Sequence, residues 1–102
     1  MPEFVDVLAL SELAPGSARE VWVSGKAVAL FNVEGSVYAI GNTCQHRGGP
    51  LGQGMLDGYS VLCPWHAWAY DVRTGISTVN EELRVPRYET RVEGDRILVS
   101  IA

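Results

Sequence analysis

The sequence predicts an all-β domain, and two observations carry that prediction. Apolar residues make up 47% of the 102 residues, and they occur in short runs, some alternating with polar residues as in strands with one buried face. These runs are separated by turn-forming residues, including 11 glycines and 5 prolines. A chain of this length can bury the core of one domain, so residues 1–102 are expected to form a single antiparallel β sandwich or barrel.

Two hairpins are predicted in this domain. Residues 26–33 form a mostly apolar run, and residues 36–40 form a second run after a turn. We expect Gly35 in that turn to adopt a positive φ, which glycine does without steric cost. Residues 88–101 are expected to form the second hairpin, with Glu89 and Arg91 facing solvent and a turn at residues 93–95.

Three shorter elements complete the predicted scaffold. Residues 4–8 and 21–23 are further strand candidates. Trp22 is expected to lie in the core, because large apolar side chains are buried on average. Ser11 is an acceptable N-cap for a short helical turn that ends before Pro15.

Charge and hydropathy exclude several classes of function. Twelve acidic residues face eight basic ones, for a net charge of −4, and no run of Lys or Arg appears. This argues against a surface for nucleic acids or anionic membranes. The longest apolar run, residues 27–31, is far shorter than the roughly 20 residues of a membrane helix. The first residues carry acids where a secretory signal carries bases, so a soluble, cytoplasmic protein is expected.

Residues 41–58 differ in character from the predicted strands, since they hold six of the glycines and show little periodicity. Long irregular segments in small domains are usually functional or disordered. The only cysteines and histidines of the chain are Cys44, His46, Cys63 and His66. Each pair offers one thiolate and one imidazole, so two adjacent loops could direct all four groups at one point.

Three interpretations of these four residues compete. They could be buried or hydrogen-bonded side chains without a metal. They could bind zinc, although zinc sites usually pair cysteine with cysteine and histidine with histidine, whereas each pair here is mixed. They could hold a [2Fe–2S] cluster with two cysteines on one iron and two histidines on the other.

The spacing of the two pairs resembles the signature of Rieske proteins, Cys-x-His-x-Gly-x-x-Leu followed by Cys-Pro-x-His. The matching positions are Cys44, His46, Gly48, Leu51, Cys63, Pro64 and His66. Residues 70–75 also resemble the strand and turn that follow the second loop in that family. The resemblance implies a Rieske-type fold with a two-loop subdomain at about residues 41–75. It also implies one [2Fe–2S] cluster bound by Cys44, His46, Cys63 and His66.

The short chain is similar to the stand-alone Rieske ferredoxins of bacterial ring-hydroxylating dioxygenases and multicomponent monooxygenases. That resemblance implies a one-electron carrier of aromatic catabolism, which takes electrons from a flavin-dependent NAD(P)H reductase and passes them to a terminal oxygenase. Such a carrier has no substrate chemistry of its own. Two alternatives stay open at this point: the small Rieske subunit of an NADH-dependent nitrite reductase, and a zinc-stabilised binding module.

Some positions depart from the family pattern. Membrane-bound Rieske proteins carry an extra cysteine in each loop, where this chain has Gly49 and Trp65, so their disulfide is not expected. A serine that donates to the cluster in those proteins is replaced by Trp68, which predicts a reduction potential in the lower half of the Rieske range.

Other residues near the motif have two interpretations each. Trp65 could pack over the loops or belong to a docking face, and Arg47 could be solvated or meet a partner carboxylate. Pro86 resembles the proline of a third loop that covers the cluster, with an ordinary strand-edge proline as the alternative.

Overall fold

The structure is a computed structural model that describes residues 3–43, 50–64 and 69–100. Over these ranges it contains nine strands and two short 3-10 helices, Leu10–Glu12 and Leu51–Gln53. The strands are β1 (Phe4–Ala9), β2 (Ala18–Val23), β3 (Lys26–Val33), β4 (Ser36–Gly41), β5 (Met55–Asp57), β6 (Ser60–Leu62), β7 (Ala69–Asp71), β8 (Arg87–Glu93) and β9 (Arg96–Ser100). Within the described ranges, no helix has both the length and the apolar character that a membrane crossing requires.

The strands form two antiparallel sheets. The large sheet has the order β1-β9-β8-β4-β3-β2, and the small sheet has the order β5-β6-β7. The end strands of the large sheet, β1 and β2, contact each other, so the sheet curls into a nearly closed barrel. The predicted all-β class, with a sandwich or barrel and an inserted subdomain, is confirmed.

Both predicted hairpins are present. β3 pairs with β4 from Val28–Gly41 to Val33–Ser36, and the turn residues Glu34 and Gly35 have φ values of 53° and 95°. Two positive φ values in a two-residue turn match the right-handed twist of the flanking strands. β8 and β9 form the C-terminal hairpin, with Glu89 and Arg91 exposed as expected. The end of its predicted last strand, Ile101, lies outside the described residues.

β3 is buried on both faces, which explains its nearly continuous apolar sequence. Its side chains alternate between two hydrophobic cores. Val28 and Leu30 belong to the inner core, which is enclosed by the curled sheet. Ala29 and Phe31 belong to the loop core, which lies between the large sheet and the small one. The loop core consists of Ala29, Phe31, Val33, Ile40, Leu51, Val61, Cys63, Tyr70, Val72 and Val85.

Two expectations for the scaffold were wrong. Trp22 is 71% exposed, because β2 alternates and its neighbour Val23 occupies the inner core instead. Ser11 does not cap a helical turn but lies within it, and Ala9 takes the N-cap position without a side-chain hydrogen bond. The Ser11 N–H donates to Asp95 Oδ1 at 3.2 Å, so the β8–β9 turn helps to hold this segment.

Candidate metal centre

The first predicted ligand loop begins where β4 ends. After Gly41 and Asn42, the chain forms an isolated antiparallel bridge between Thr43 and Pro50. This bridge brings together the two ends of residues 44–49, which carry the first cysteine–histidine pair. The short helix Leu51–Gln53 then leads to β5.

The second ligand loop connects two strands of the small sheet. β6 leads directly into Cys63, whose residue is 2% exposed. Leu62 and Ala69 are partners in the β6–β7 ladder, so this ladder closes the loop that contains the second cysteine–histidine pair. Cys63 is therefore a buried residue placed directly at the end of β6.

Most of the sequence-predicted site lies outside the described residues. Of the four predicted ligands, the structure describes Cys63 alone. The predictions for Cys44, His46 and His66, and for the flanking positions, are not tested by geometry. The flanking positions outside the described residues are Arg47, Gly48, Gly49, Trp65 and Trp68.

A close backbone contact joins the bases of the two loops. Gly54 follows the first loop, and a Cβ added to it would lie 2.2 Å from the carbonyl oxygen of Leu62. Only glycine allows these two segments of the backbone to approach so closely. Leu51, from the first loop, and Cys63, from the second, also belong to the loop core. The two segments that carry the cysteine–histidine pairs therefore start from one shared base.

A third segment contacts both loop bases. The carbonyl of Pro86 accepts a hydrogen bond from the Gly41 N–H at 2.8 Å, beside the start of the first loop. The Ser77 hydroxyl and the Thr78 N–H both donate to the carbonyl of Ala69, at 3.0 and 2.9 Å, where the second loop ends. Pro86 stands directly before β8, at the start of a strand where proline is tolerated, so the strand-edge interpretation is not contradicted. Its carbonyl contact is consistent with the predicted third loop, and coverage of the cluster stays a prediction.

A network of polar side chains, the Glu20–Asn42 clasp, also lies at the base of the first loop. Asn42 is 6% exposed, and its Nδ2 donates to Glu20 Oε2 at 3.0 Å. Its Oδ1 accepts the Gly52 N–H at 2.7 Å, and Gln53 Nε2 donates to Glu20 Oε1. Sequence reasoning missed this network. The available signal was a polar Asn42 at the end of an apolar strand, two residues before the first predicted ligand.

The opposite end of the small sheet is held by a charged pair. Arg73 donates to both carboxylate oxygens of Asp71, at 3.1 and 2.8 Å, and its guanidinium lies 4.1 Å from the ring centroid of Tyr59. Tyr59 in turn meets Tyr38 of β4 edge to face. The hydrogen bonds from Arg73 lower the pKa of Asp71 below its ordinary value. The predicted strand and turn over residues 70–75 are confirmed, and the turn ends at Gly75 with φ 80°.

Comparison with known proteins decides the family. The Rieske [2Fe–2S] domain matches residues 3–89 of the chain. The chain belongs to the Rieske family. Its cofactor is therefore a Rieske-type [2Fe–2S] cluster rather than zinc, and the sequence resemblance is confirmed.

The described part of this Rieske domain fits that cofactor. Two thiolates and two imidazoles are the donor set of a Rieske cluster. Cys63 is buried at the end of β6, which suits a thiolate ligand shielded from water. The shared base of the two loops also places their ends side by side, as a site built from two segments requires.

Relatives of similar length are electron-transfer components. The ferredoxin component of a naphthalene 1,2-dioxygenase system from Pseudomonas aeruginosa is 33% identical over 103 residues, covering 98% of this chain and 97% of the relative. The ferredoxin of carbazole 1,9a-dioxygenase from Nocardioides aromaticivorans IC177 is 36% identical with a TM-score of 0.88. That match covers 94% of this Rieske chain and 95% of the other.

Two further solved structures bear on partners. A chain in the complex of reduced oxygenase and oxidised ferredoxin of carbazole 1,9a-dioxygenase is 30% identical with a TM-score of 0.86, covering 95% of this chain and 92% of that one. A nitrite reductase small subunit from Mycobacterium tuberculosis, described as NADH-dependent, is 27% identical with a TM-score of 0.93. That match covers 100% of this chain and 97% of the other.

Proposed function

We propose that this Rieske protein is a one-electron carrier that connects a flavin-dependent NAD(P)H reductase to a terminal oxygenase. The observation that carries the proposal is near-full-length similarity to a dioxygenase ferredoxin, 98% of this chain against 97% of the relative. The complex of oxygenase with oxidised ferredoxin supports an oxygenase as the acceptor. Aromatic catabolism is the pathway class that these relatives favour.

The proposed ligands are Cys44 and His46 in the first loop and Cys63 and His66 in the second. When bound, the cluster accepts and releases one electron, and neutral imidazoles in place of two thiolates ease its reduction. The described residues support the base of the two loops that carry the proposed ligands. The loop core surrounds Cys63 and keeps water from its side of the site, while the Thr43–Pro50 bridge and the β6–β7 ladder fix the loop ends.

The proposal includes no substrate chemistry in this chain. A mononuclear iron centre of the oxygenase type needs two histidines and a carboxylate, and the two histidines present are assigned to the cluster. We propose that residues 1–102 act as one Rieske domain in the cytoplasm, where a reductase can draw on NAD(P)H.

Reconstitution with partners tests the proposal. The purified protein is added to NADH and to the reductase and oxygenase of a carbazole 1,9a-dioxygenase system from which the native ferredoxin is omitted. We expect a reduced-state EPR signal of low average g and restored hydroxylation of carbazole. A colourless, zinc-loaded protein, or NADH oxidation and hydroxylation that are unchanged by its addition, would contradict the proposal.

The reduction potential gives a second measurement. Because Trp68 replaces a cluster-donating serine, the reduced cluster is less stabilised, and we expect a midpoint in the lower half of the range of about −150 to +300 mV. Direct electrochemistry measures it. A midpoint above about +150 mV, within that same range, would contradict this prediction.

One observation favours a second candidate, the small subunit of a nitrite reductase. The match to such a subunit covers 100% of this chain, with a TM-score of 0.93. The two candidates differ in their acceptor. Stable co-purification with a large nitrite reductase subunit, together with NADH-dependent nitrite consumption, would favour the second candidate over the first.

A further inference from the structure

We propose that Glu20 and Asn42 are positioning residues, which set the geometry of the first cluster loop through the clasp at its base. This inference rests on the proposed function, since it concerns the segment that carries Cys44 and His46. Neither residue is a ligand in the Rieske pattern. Their action is on the two ends of the loop.

Asn42 uses every polar group that it has. Its backbone N–H donates to the Ala27 carbonyl at 3.2 Å, and its carbonyl accepts the Leu51 N–H at 2.6 Å. Its side chain accepts from the Gly52 N–H at 2.7 Å and donates to Glu20 at 3.0 Å. A residue that merely continued β4 would need only its backbone groups. The side chain of Asn42 instead ties the start of the loop to its end, ten residues later.

Glu20 adds a fixed point from another strand. It stands on β2, 22 residues before Asn42, and its carboxylate accepts hydrogen bonds from both Asn42 and Gln53. Hydrogen bonds to a charged acceptor are stronger than those between neutral groups. The loop is thus held to the large sheet as well as to itself.

Gly52 allows this arrangement sterically. A Cβ at this position would lie 2.5 Å from the Glu20 Cγ and 2.9 Å from the Asn42 Oδ1. Both distances are below the closest approach of real Cβ atoms, so any side chain here would push the clasp apart. The backbone of the loop, the amide and the carboxylate therefore form one packed unit.

The consequence concerns both retention and geometry of the cluster. If the clasp opens, residues 42 and 51–53 are no longer held at a fixed separation. The pair of ligands between them is then placed less uniquely, and the cluster is lost faster. The g-values of the reduced protein report ligand geometry, and a distant charge does not move them.

An exchange of the two side-chain functions tests the proposal. Asn42→Asp sets two carboxylates against each other, and we expect cluster loss about tenfold faster, the effect of one unsatisfied buried group, together with shifted g-values. Glu20→Gln keeps an amide oxygen that can accept from Asn42, because the exposed Gln53 amide can turn to accept from the new amide donor, so we expect it to stay close to wild type. In the double variant, residue 20 can donate to Asp at residue 42, which still accepts from Gly52. We expect wild-type g-values and retention to return.

Glu89→Gln is the matched control, because it removes one charge from an exposed strand position. Visible absorbance follows cluster loss, EPR gives the g-values, and urea unfolding reports the stability of the scaffold. The proposal is overturned if Asn42→Asp behaves like Glu89→Gln, or if it lowers stability without moving the g-values. It is equally overturned if the double variant is no better than the sum of the single ones. Failure of the proposed function looks different, since the wild-type protein itself would then lack the Rieske spectrum or fail to pass electrons.

Discussion

The large sheet and the small sheet are built in different ways. β3 shares six consecutive residue pairs with β2 and six with β4. The two-residue turns at both of its ends have positive φ at both positions, as is common in β-hairpins. Each strand of the small sheet is only three residues long. Short strands of this kind supply few ladder hydrogen bonds, and an isolated small sheet is marginal in water.

The small sheet is instead held by individual contacts. Gly54 packs against the Leu62 carbonyl, Ser77 donates to Ala69, and the Glu20–Asn42 clasp closes one loop. Each contact depends on one or two specific residues, whereas the large sheet depends on a repeated pattern. We therefore expect the small sheet to be more sensitive than the large sheet to single substitutions.

The largest expected effect on the cofactor contrasts the two hydrophobic cores. Leu51 of the loop core and Leu30 of the inner core are both fully buried. Truncation of either to alanine leaves a cavity, and we expect each to lower the free energy of unfolding by about 3 kcal/mol. Urea denaturation measures this quantity.

The two leucine variants should differ in how long they retain the cluster. Leu51→Ala loosens the base of the ligand loops, so it should lose its visible absorbance well before the scaffold unfolds. Leu30→Ala should keep its absorbance until global unfolding. Equal cluster retention in the two variants, at matched stability, would argue against a separately sensitive loop core.

The next effect isolates the close approach of the loop bases. In Gly54→Ala the new Cβ meets the Leu62 carbonyl, and we expect a cost of about 2 kcal/mol from overpacking. Gly58→Ala is the control, because Gly58 has a positive φ of 61° but open space around it, and should cost about 1 kcal/mol. Denaturation of both variants tests this order, and a larger loss for Gly58→Ala would reverse the argument.

The same contrast explains what the sequence could predict. The hairpin over residues 26–40 follows from an apolar run, a glycine turn and a second run, all local in sequence. The ligand pattern is also local, since each half spans only a few residues. The clasp between Glu20 and Asn42 joins residues on different strands, and no local periodicity indicates such a pairing.

The case of Trp22 has another cause. Its side-chain size favoured burial, but strand alternation places Trp22 on the face of β2 opposite to the face that carries Val23, which is 1% exposed. The period of two along β2 was the better guide, and it was available in the sequence. Size alone therefore misplaced a residue that the pattern places correctly.

A smaller effect comes from two ion pairs, one chosen from each region. Arg73 lowers the pKa of Asp71 beside the small sheet, and Arg96 lowers the pKa of Asp6 between β1 and β9. A lowered carboxyl pKa stabilises the fold above the ordinary aspartate pKa, and that stability is lost as the pH falls through the lower, folded value.

Asp71→Asn removes this contribution from the small sheet. We expect a loss of less than about 1 kcal/mol at pH 7, because the pair is partly exposed, and no difference from wild type at a pH below the folded pKa. Urea unfolding from pH 7 down to pH 3 measures the difference. Asp6→Asn serves as the comparison in the large sheet. If the difference in free energy of unfolding between Asp71→Asn and wild type grew toward low pH, it would contradict a stabilising role of this ion pair.

The smallest effect is expected at Trp22, and it separates exposure from size. Trp22 is 71% exposed, whereas Phe31, an aromatic residue on neighbouring β3, is fully buried. Truncation of a buried aromatic residue costs about 3–5 kcal/mol, so Phe31→Ala should destabilise the protein strongly. Trp22→Ala leaves no cavity, and its free energy of unfolding should stay within about 0.5 kcal/mol of wild type. Parallel urea titrations compare the two variants. A loss above about 2 kcal/mol for Trp22→Ala would contradict its exposed position, since only a buried side chain makes enough contacts for such a loss.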